Sequence, residues 1–279
     1  MASIGQYNTL KVNRETGSGF YLDAGHLGEV LLPGNLAPPD LKWGAMIEVF
    51  LYTDSEDRFV ATTERPHATV GEFAVLKVVS VHPRAGAFLD WGLGKDLLLP
   101  FREQGERRVE AGERVGVYIK VDERTDRVVA TTKLSRYLEP APPHYAPGQK
   151  VRLLITHRTP LGFNAVAEGR YSGLIYHTNL GTALAPGREL DGYVHAVRPD
   201  GKLDLGLDPA GPARFRDLAD EIMDALGNAG GRLPYDDSSA PEAIREAFNT
   251  SKKTFKKAIG TLLRKRRIRF AQGGGIERI

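Results

Sequence analysis

The 279-residue chain contains no cysteine. That absence removes disulfides, thiol catalysis, thiolate zinc sites and iron–sulfur ligation together, and it fits a reducing compartment. No apolar run approaches the roughly 18 residues of a membrane span. The opening Met1-Ala2-Ser3-Ile4-Gly5 has neither the basic leader nor the apolar stretch of a secretory signal. These features predict a cytoplasmic protein with no membrane partner, and no heptad pattern argues for more than a monomer. Catalytic signatures are missing as well. The sequence has no G-x-x-x-x-G-K-[ST] loop, no H-E-x-x-H pair and no G-x-S-x-G elbow. Gly92-Leu93-Gly94 matches part of a dinucleotide fingerprint, but no helix follows it. The seven histidines are scattered, and no carboxylate cluster suits a nuclease metal pair. The expectation is a non-enzyme with no metal, no cofactor and no small-molecule substrate.

What is present is repetition. Gly5-Gln6-Tyr7-Asn8-Thr9-Leu10-Lys11-Val12 lies on Gly71-Glu72-Phe73-Ala74-Val75-Leu76-Lys77-Val78, and Gly19-Phe20-Tyr21-Leu22-Asp23 on Gly86-Ala87-Phe88-Leu89-Asp90. Leu31-Leu32-Pro33 matches Leu98-Leu99-Pro100, and Asp57-Arg58-Phe59-Val60-Ala61-Thr62-Thr63 matches Asp126-Arg127-Val128-Val129-Ala130-Thr131-Thr132. A divergent third copy starts at Gly148. It runs through Val151–Ile155, Gly162-Phe163 and Tyr171–His177 to Lys202–Leu207. The Pro-rich stretch from Glu139 to Pro147 reads as a stiff linker before it. Val115, Val117, Ile119 and Val121 alternate with Gly116, Tyr118 and Lys120, the period of a strand with one buried face. Short strands, glycine-marked corners and no long helix describe a five-stranded barrel of the oligonucleotide-binding type.

After Pro209-Ala210-Gly211-Pro212 the period becomes helical. Phe215, Leu218, Ile222 and Leu226 mark a first helix ending near Gly227. Ser239 caps a second that starts around Pro241 and buries Ile244 and Phe248. Thr250 or Ser251 opens a third, with Phe255, Ile259 and Leu263 on one face. Ile268-Arg269-Phe270, the Gly273-Gly274-Gly275 turn and Ile276 form a two-stranded wing. The predicted fold is therefore mainly β with a small α+β end: three tandem OB-fold barrels (1–65, 66–138 and 139–208) and a winged helix (209–279).

Charge is unevenly shared. The net charge is +3, yet from Ser251 to Ile279 ten Lys or Arg face the single acid Glu277. Lys252, Lys253, Lys256 and Lys257 fall on the exposed side of the third helix, and Arg264, Lys265, Arg266, Arg267 and Arg269 lead into the wing. Such a cluster favours phosphate contact over base readout, with a solvated basic face or a protein-docking face as the alternative. In the barrels, single strands are held by aromatic faces and by cations along the phosphates. Tyr21 and Phe88 occupy equivalent positions on the second strand, with Phe163 and Asn164 in that region of the third copy. Tyr176 follows on the next strand, and beside it His177 is a further candidate RNA contact, reading as a surface residue rather than a metal ligand. Trp91 and Lys95 add a ring and a charge near Phe88. Burial in a barrel or at a barrel–barrel contact is the alternative for every ring, above all for Trp91 and for Phe50, Tyr118 and Tyr193 on strand four.

These residues resemble the RNA-binding repeat of the largest small-subunit ribosomal protein, the S-one domain, most closely in Gly162-Phe163 and Gly173-Leu174-Ile175-Tyr176-His177. Phe88-Leu89-Asp90-Trp91-Gly92-Leu93 and Lys95–Pro100, with the terminal winged helix, resemble the bacterial conserved virulence factor B family over essentially the whole chain. That resemblance implies a cytoplasmic RNA-binding regulator that acts after transcription, and it does not imply a catalytic centre. Leu31 and Leu98 stand where the ribosomal repeat usually exposes a His or an aromatic, so the first two barrels are expected to be partly structural. Two other readings stay open: a DNA-binding transcriptional regulator that uses the winged helix on a duplex, and a ribosome-associated structural protein docked on ribosomal RNA.

Overall fold

A computed structural model describes the chain apart from Ser55, Asp57, Glu106, residues 178–183, residues 210–211 and Asn249, with backbone only at 212–217. The first repeat forms β1 (Tyr7–Thr16), β2 (Gly19–Asp23), β3 (Glu29–Pro33), β4 (Met46–Thr53) and β5 (Phe59–Thr62). They close into a barrel in the order β1-β2-β3-β5-β4, in which only the β3–β5 pair is parallel. The second repeat repeats this with β6 (Phe73–His82), β7 (Gly86–Leu89), β8 (Leu97–Pro100), β9 (Arg114–Val121) and β10 (Val128–Thr131). The third does so with β11 (Lys150–Arg158), β12 (Gly162–Ala167), β13 (Tyr171–Tyr176), β14 (Glu189–Val197) and β15 (Leu203–Gly206). Val117 and Ile119, two apart on β9, are fully buried, as period-two alternation requires.

A glycine opens the second strand of every barrel because the next strand leaves no room for a side chain. A Cβ on Gly19 would lie 2.2 Å from the Leu32 carbonyl oxygen. On Gly86 it would lie 2.2 Å from that of Leu99, and on Gly162 2.0 Å from that of Ile175. Two residues beyond each glycine stand Tyr21, Phe88 and Asn164, so the tight corner fixes which side chain faces outward.

The first two barrels share one compact unit. Phe50 of β4 is fully buried, and its ring meets Trp91 of the second repeat edge-on at 5.4 Å. The Trp91 indole N–H donates to the Ala68 carbonyl at 2.8 Å, which satisfies its polar edge inside the contact. On β9 the equivalent Tyr118 is covered by Tyr137 instead, stacked at 4.0 Å.

The second unit spans Glu139–Ile279. Its opening segment is no free spacer: the Glu139 N–H donates to Arg170 O and the Ala141 N–H to Gly201 O. Ala141 is buried in the third barrel's core. The Pro-rich composition, read as a linker, here lines a barrel end.

The terminal module has α1 (Pro212–Asn228), β16 (Arg232–Leu233), α2 (Pro241–Phe248), α3 (Lys252–Arg264), β17 (Ile268–Phe270) and β18 (Ile276–Arg278). Leu218, Ile222, Leu226, Ile244, Phe248, Phe255 and Ile259 meet in one core; the Phe215 side chain lies outside the described residues. The sheet has three strands, β16-β18-β17, rather than two. Ser251 caps α3 by accepting the Thr254 N–H, whereas the Ser239 hydroxyl accepts the Asp236 N–H. Ser239 thus closes the turn before α2 instead of capping the helix.

Candidate nucleic-acid interface

Strand register places an outward-facing row on each barrel. In the first it is Arg14–Tyr21–Leu31, which ends against the buried Val60. In the second it is Ser80–Phe88–Leu98, which ends against the buried Val129, and in the third His157–Asn164–Leu174–Asp204. Asn164, not Phe163, is therefore the counterpart of Tyr21 and Phe88. Phe163 is in phase with Ala165 and Ala167 and is 6% exposed in the third core, so its ring is not a platform. Tyr176 pairs with Gly162, as Pro33 does with Gly19 and Pro100 with Gly86.

The three rows differ in chemistry. One face of Tyr21 carries the Arg14 guanidinium 3.7 Å from the ring centroid, and Arg14 is held by Glu29 at 3.0 Å. Phe88 is half-buried beside Leu98 and borders a cavity of about 260 Å³. In the third barrel the Tyr176 hydroxyl accepts from Arg198 Nη2 at 2.8 Å and donates to Asp204 Oδ1 at 3.3 Å. Arg198 and Asp204 are themselves paired at 3.0 Å. His177 packs edge-on against Phe163 and places Nε2 3.1 Å from the Thr159 carbonyl oxygen, so that nitrogen carries the proton.

Two residues singled out from the sequence are committed elsewhere. Trp91 is 3% exposed in the barrel–barrel contact. Lys95 Nζ donates to the carbonyl oxygens of Thr53 and Asp54 at 2.6 and 2.7 Å, so it fastens the second repeat to the end of β4. Conversely, Trp43 is 74% exposed, and its indole N–H is tied to the Asn13 carbonyl at 2.9 Å. The repeats gave no sign of it, because Ala111 stands at that place in the second copy. Gly44 and Gly112, the next residues, make the same bond, to Val12 and Val78. Arg198 was missed because it lies 22 residues beyond the Tyr176 it orients.

On α3 the buried side holds Phe255, Ala258, Ile259 and Leu262, and Lys253, Lys256 and Lys257 are exposed. Lys252 is drawn in, donating to the Ser238 carbonyl at 3.2 Å, and Lys256 approaches Asp237 at 3.6 Å. Arg264, Lys265, Arg266 and Arg267 are exposed where α3 ends, and Arg269 pairs with Glu277 across the wing at 2.5 Å. Arg232 and Arg278, exposed on β16 and β18, extend the same cationic surface.

The wing is tied to the body through Asp236, whose carboxylate accepts the Gly275 N–H at 2.7 Å and the Ser238 N–H at 2.8 Å. The Ser238 hydroxyl first, and then these two backbone donors, hold its pKa at about 2, below the ordinary 3.8. A depressed carboxylate stabilises the fold above its unfolded pKa and loses that contribution as pH falls from about 4 through 2. Thermal melts should show this module weakening across that window. In Asp236→Ala, which should cost about 1–3 kcal/mol at neutral pH through loss of hydrogen bonds to a charged group, the acid-dependent part should vanish; an unchanged pH profile would disprove the role.

Among the described residues no group of three or more His, Asp or Glu is placed to hold a metal, and no helix is long and apolar enough to cross a membrane. Residues 4–64 match the S1 domain family, and residues 220–277 match the CvfB-like winged helix domain. The Bacillus subtilis (strain 168) protein YitL is 26% identical over 279 residues, covering 93% of this chain and 89% of that protein. Conserved virulence factor B of Staphylococcus haemolyticus (strain JCSC1435) is 25% identical over 240 residues, covering 84% and 80%. A solved multidomain protein with nucleic acid binding domains from Streptococcus pneumoniae aligns over 99% of this chain and 98% of its own, at 23% identity and a TM-score of 0.44. An S1 barrel at one end and this type of winged helix at the other are both nucleic-acid-binding modules, and the chain that carries them is similar over most of its length to the conserved virulence factor B proteins.

Proposed function

We propose that the protein binds single-stranded RNA without catalysis and regulates gene expression after transcription. The strand lies on the outward row of one or more barrels, and the winged helix adds a basic clamp for phosphates. The observation that carries this reading is the position of the rings. Tyr21 and Phe88 occupy the same place in two barrels, each half-exposed, where only an unpaired base offers a π-face to stack on. Tyr176, braced by Arg198 and Asp204, supplies a ring on the third barrel. Sites that are weak singly add when one strand spans several of them. The cytoplasm, where messenger and ribosomal RNA are found, is the fitting location, and a monomer suffices for this arrangement.

The test is fluorescence anisotropy of the full chain with labelled single-stranded RNA and duplex DNA at two salt concentrations. RNA should bind more tightly, and Tyr176→Ala should weaken it by roughly 1–3 kcal/mol if the ring stacks on a base. A clear preference for duplex DNA would replace this reading with that of a transcriptional regulator, a role that the exposed lysine face of α3 also fits by the usual docking of a recognition helix.

A further inference from the structure

We infer that the recess between the first two barrels seats one unstacked nucleobase and sets the base preference of the bound strand. The inference rests on the single-strand reading above. The cavity of about 260 Å³ is mostly apolar and is lined by Phe88 and Leu98 of the outward row, by Tyr52 of the first barrel, and by Lys95, Asp96 and Arg127. Ligand pockets for drug-sized molecules run roughly 300–1,000 Å³, so this one suits a single ring system. Among the described residues the outward rows of the other two barrels differ in chemistry. Arg14 already covers a face of Tyr21, and the third row is polar at His157, Asn164 and Asp204.

The recess is built from both repeats and is held in shape before any ligand arrives. Lys95 makes two charge-assisted hydrogen bonds to the end of β4, and Trp91 packs on Phe50. A preformed wall avoids the cost of ordering it on binding. The mixed lining selects the chemistry of the occupant. A hydrocarbon would strip water from Asp96 and the neighbouring cations without replacing its hydrogen bonds, whereas a base brings an apolar face for Phe88 and a polar edge for the charged groups. Burial, with help from the nearby Asp90 charge, pushes the Asp96 carboxyl up, as expected of a group held partly away from water.

The test compares oligo(U), oligo(A) and oligo(C) RNA by anisotropy with the full chain, Leu98→Trp and Phe88→Leu. Leu98 is half-exposed between the buried Leu97 and Leu99, so an indole there grows outward into the recess. Phe88→Leu keeps apolar bulk and removes the ring. The native chain should separate the three polymers, and both variants should bring them within about twofold, the tightest losing roughly tenfold. The salt dependence should not change. If the native chain binds RNA but ranks the polymers equally, or if both folded variants keep the native ranking, the recess is not a base seat and the single-strand reading survives. If the native chain binds none of the three, that reading fails and takes this inference with it. Should melting show Leu98→Trp to be misfolded, Phe88→Leu decides.

Discussion

Replacing Lys253, Lys256, Lys257, Arg264, Lys265, Arg266 and Arg267 by glutamine should nearly abolish the salt dependence of RNA binding. All seven are exposed, on the side of α3 away from Phe255 and Ile259 or just beyond its end, so the changes leave the core intact. Lys252 is excluded because it is already bonded to the Ser238 carbonyl. Each single-strand phosphate contact contributes about 0.7 to the slope of log affinity against log salt. Seven contacts give a slope near 5, which between 50 and 200 mM salt is a change of almost 10³ that the variant should not show. The three lysines alone would remove a slope of about 2, or roughly a 20-fold change over the same range. If the full variant keeps the native slope, this surface faces solvent or a protein partner, and the winged helix is no clamp.

The architecture was legible because repetition and periodicity are local properties. Copies offset by 66 to 69 residues announced two barrels, and the change from period two to period 3.6 after Pro212 announced the helices. The faces of the site were harder. A register shift lies between Val12 and Arg14, between Val78 and Ser80, and between Ile155 and His157. Alternation counted through such a bulge changes phase by one residue, so the first strand cannot index the outward row. The glycines can: counted from Gly19, Gly86 and Gly162, the outward residue is two places on, which selects Asn164 and rejects Phe163. Trp91 and Lys95 illustrate a different limit. A ring and a cation near Phe88 suit nucleic acid in sequence terms, but their partners, Phe50 and the carbonyls of Thr53 and Asp54, lie about 40 residues away. Backbone carbonyls leave no mark in a sequence at all. The two-residue strand β16 is likewise too short to carry a period.

The same glycine logic yields the largest expected effect on stability, through Gly86→Ala. Gly86 has φ +140, and an added Cβ would sit 2.2 Å from the Leu99 carbonyl oxygen and 2.8 Å from Pro100 Cα. Neither neighbour is a flexible side-chain end, so β7 and β8 must part where Gly86 pairs with Pro100. Backbone strain of this kind costs about 1–3 kcal/mol, and overpacking a close contact adds about 1–3 more. A loss near 4 kcal/mol is a large share of the roughly 5–15 kcal/mol that holds a domain folded. Gly94→Ala is the control, since its Cβ would meet only the end of the Glu64 side chain, at 3.9 Å, and should stay within about 0.5 kcal/mol. The consequence for binding follows from position. Phe88 is two residues beyond Gly86, and loosening the second barrel also uncovers Phe50, which Trp91 shields. Denaturant unfolding followed through Trp91 should therefore report a lower midpoint in Gly86→Ala, together with weaker RNA binding even below that midpoint. An unfolding free energy within about 1 kcal/mol of the native chain's would mean that the strand pair yields at this corner, and that the glycine is not what aims Phe88 outward.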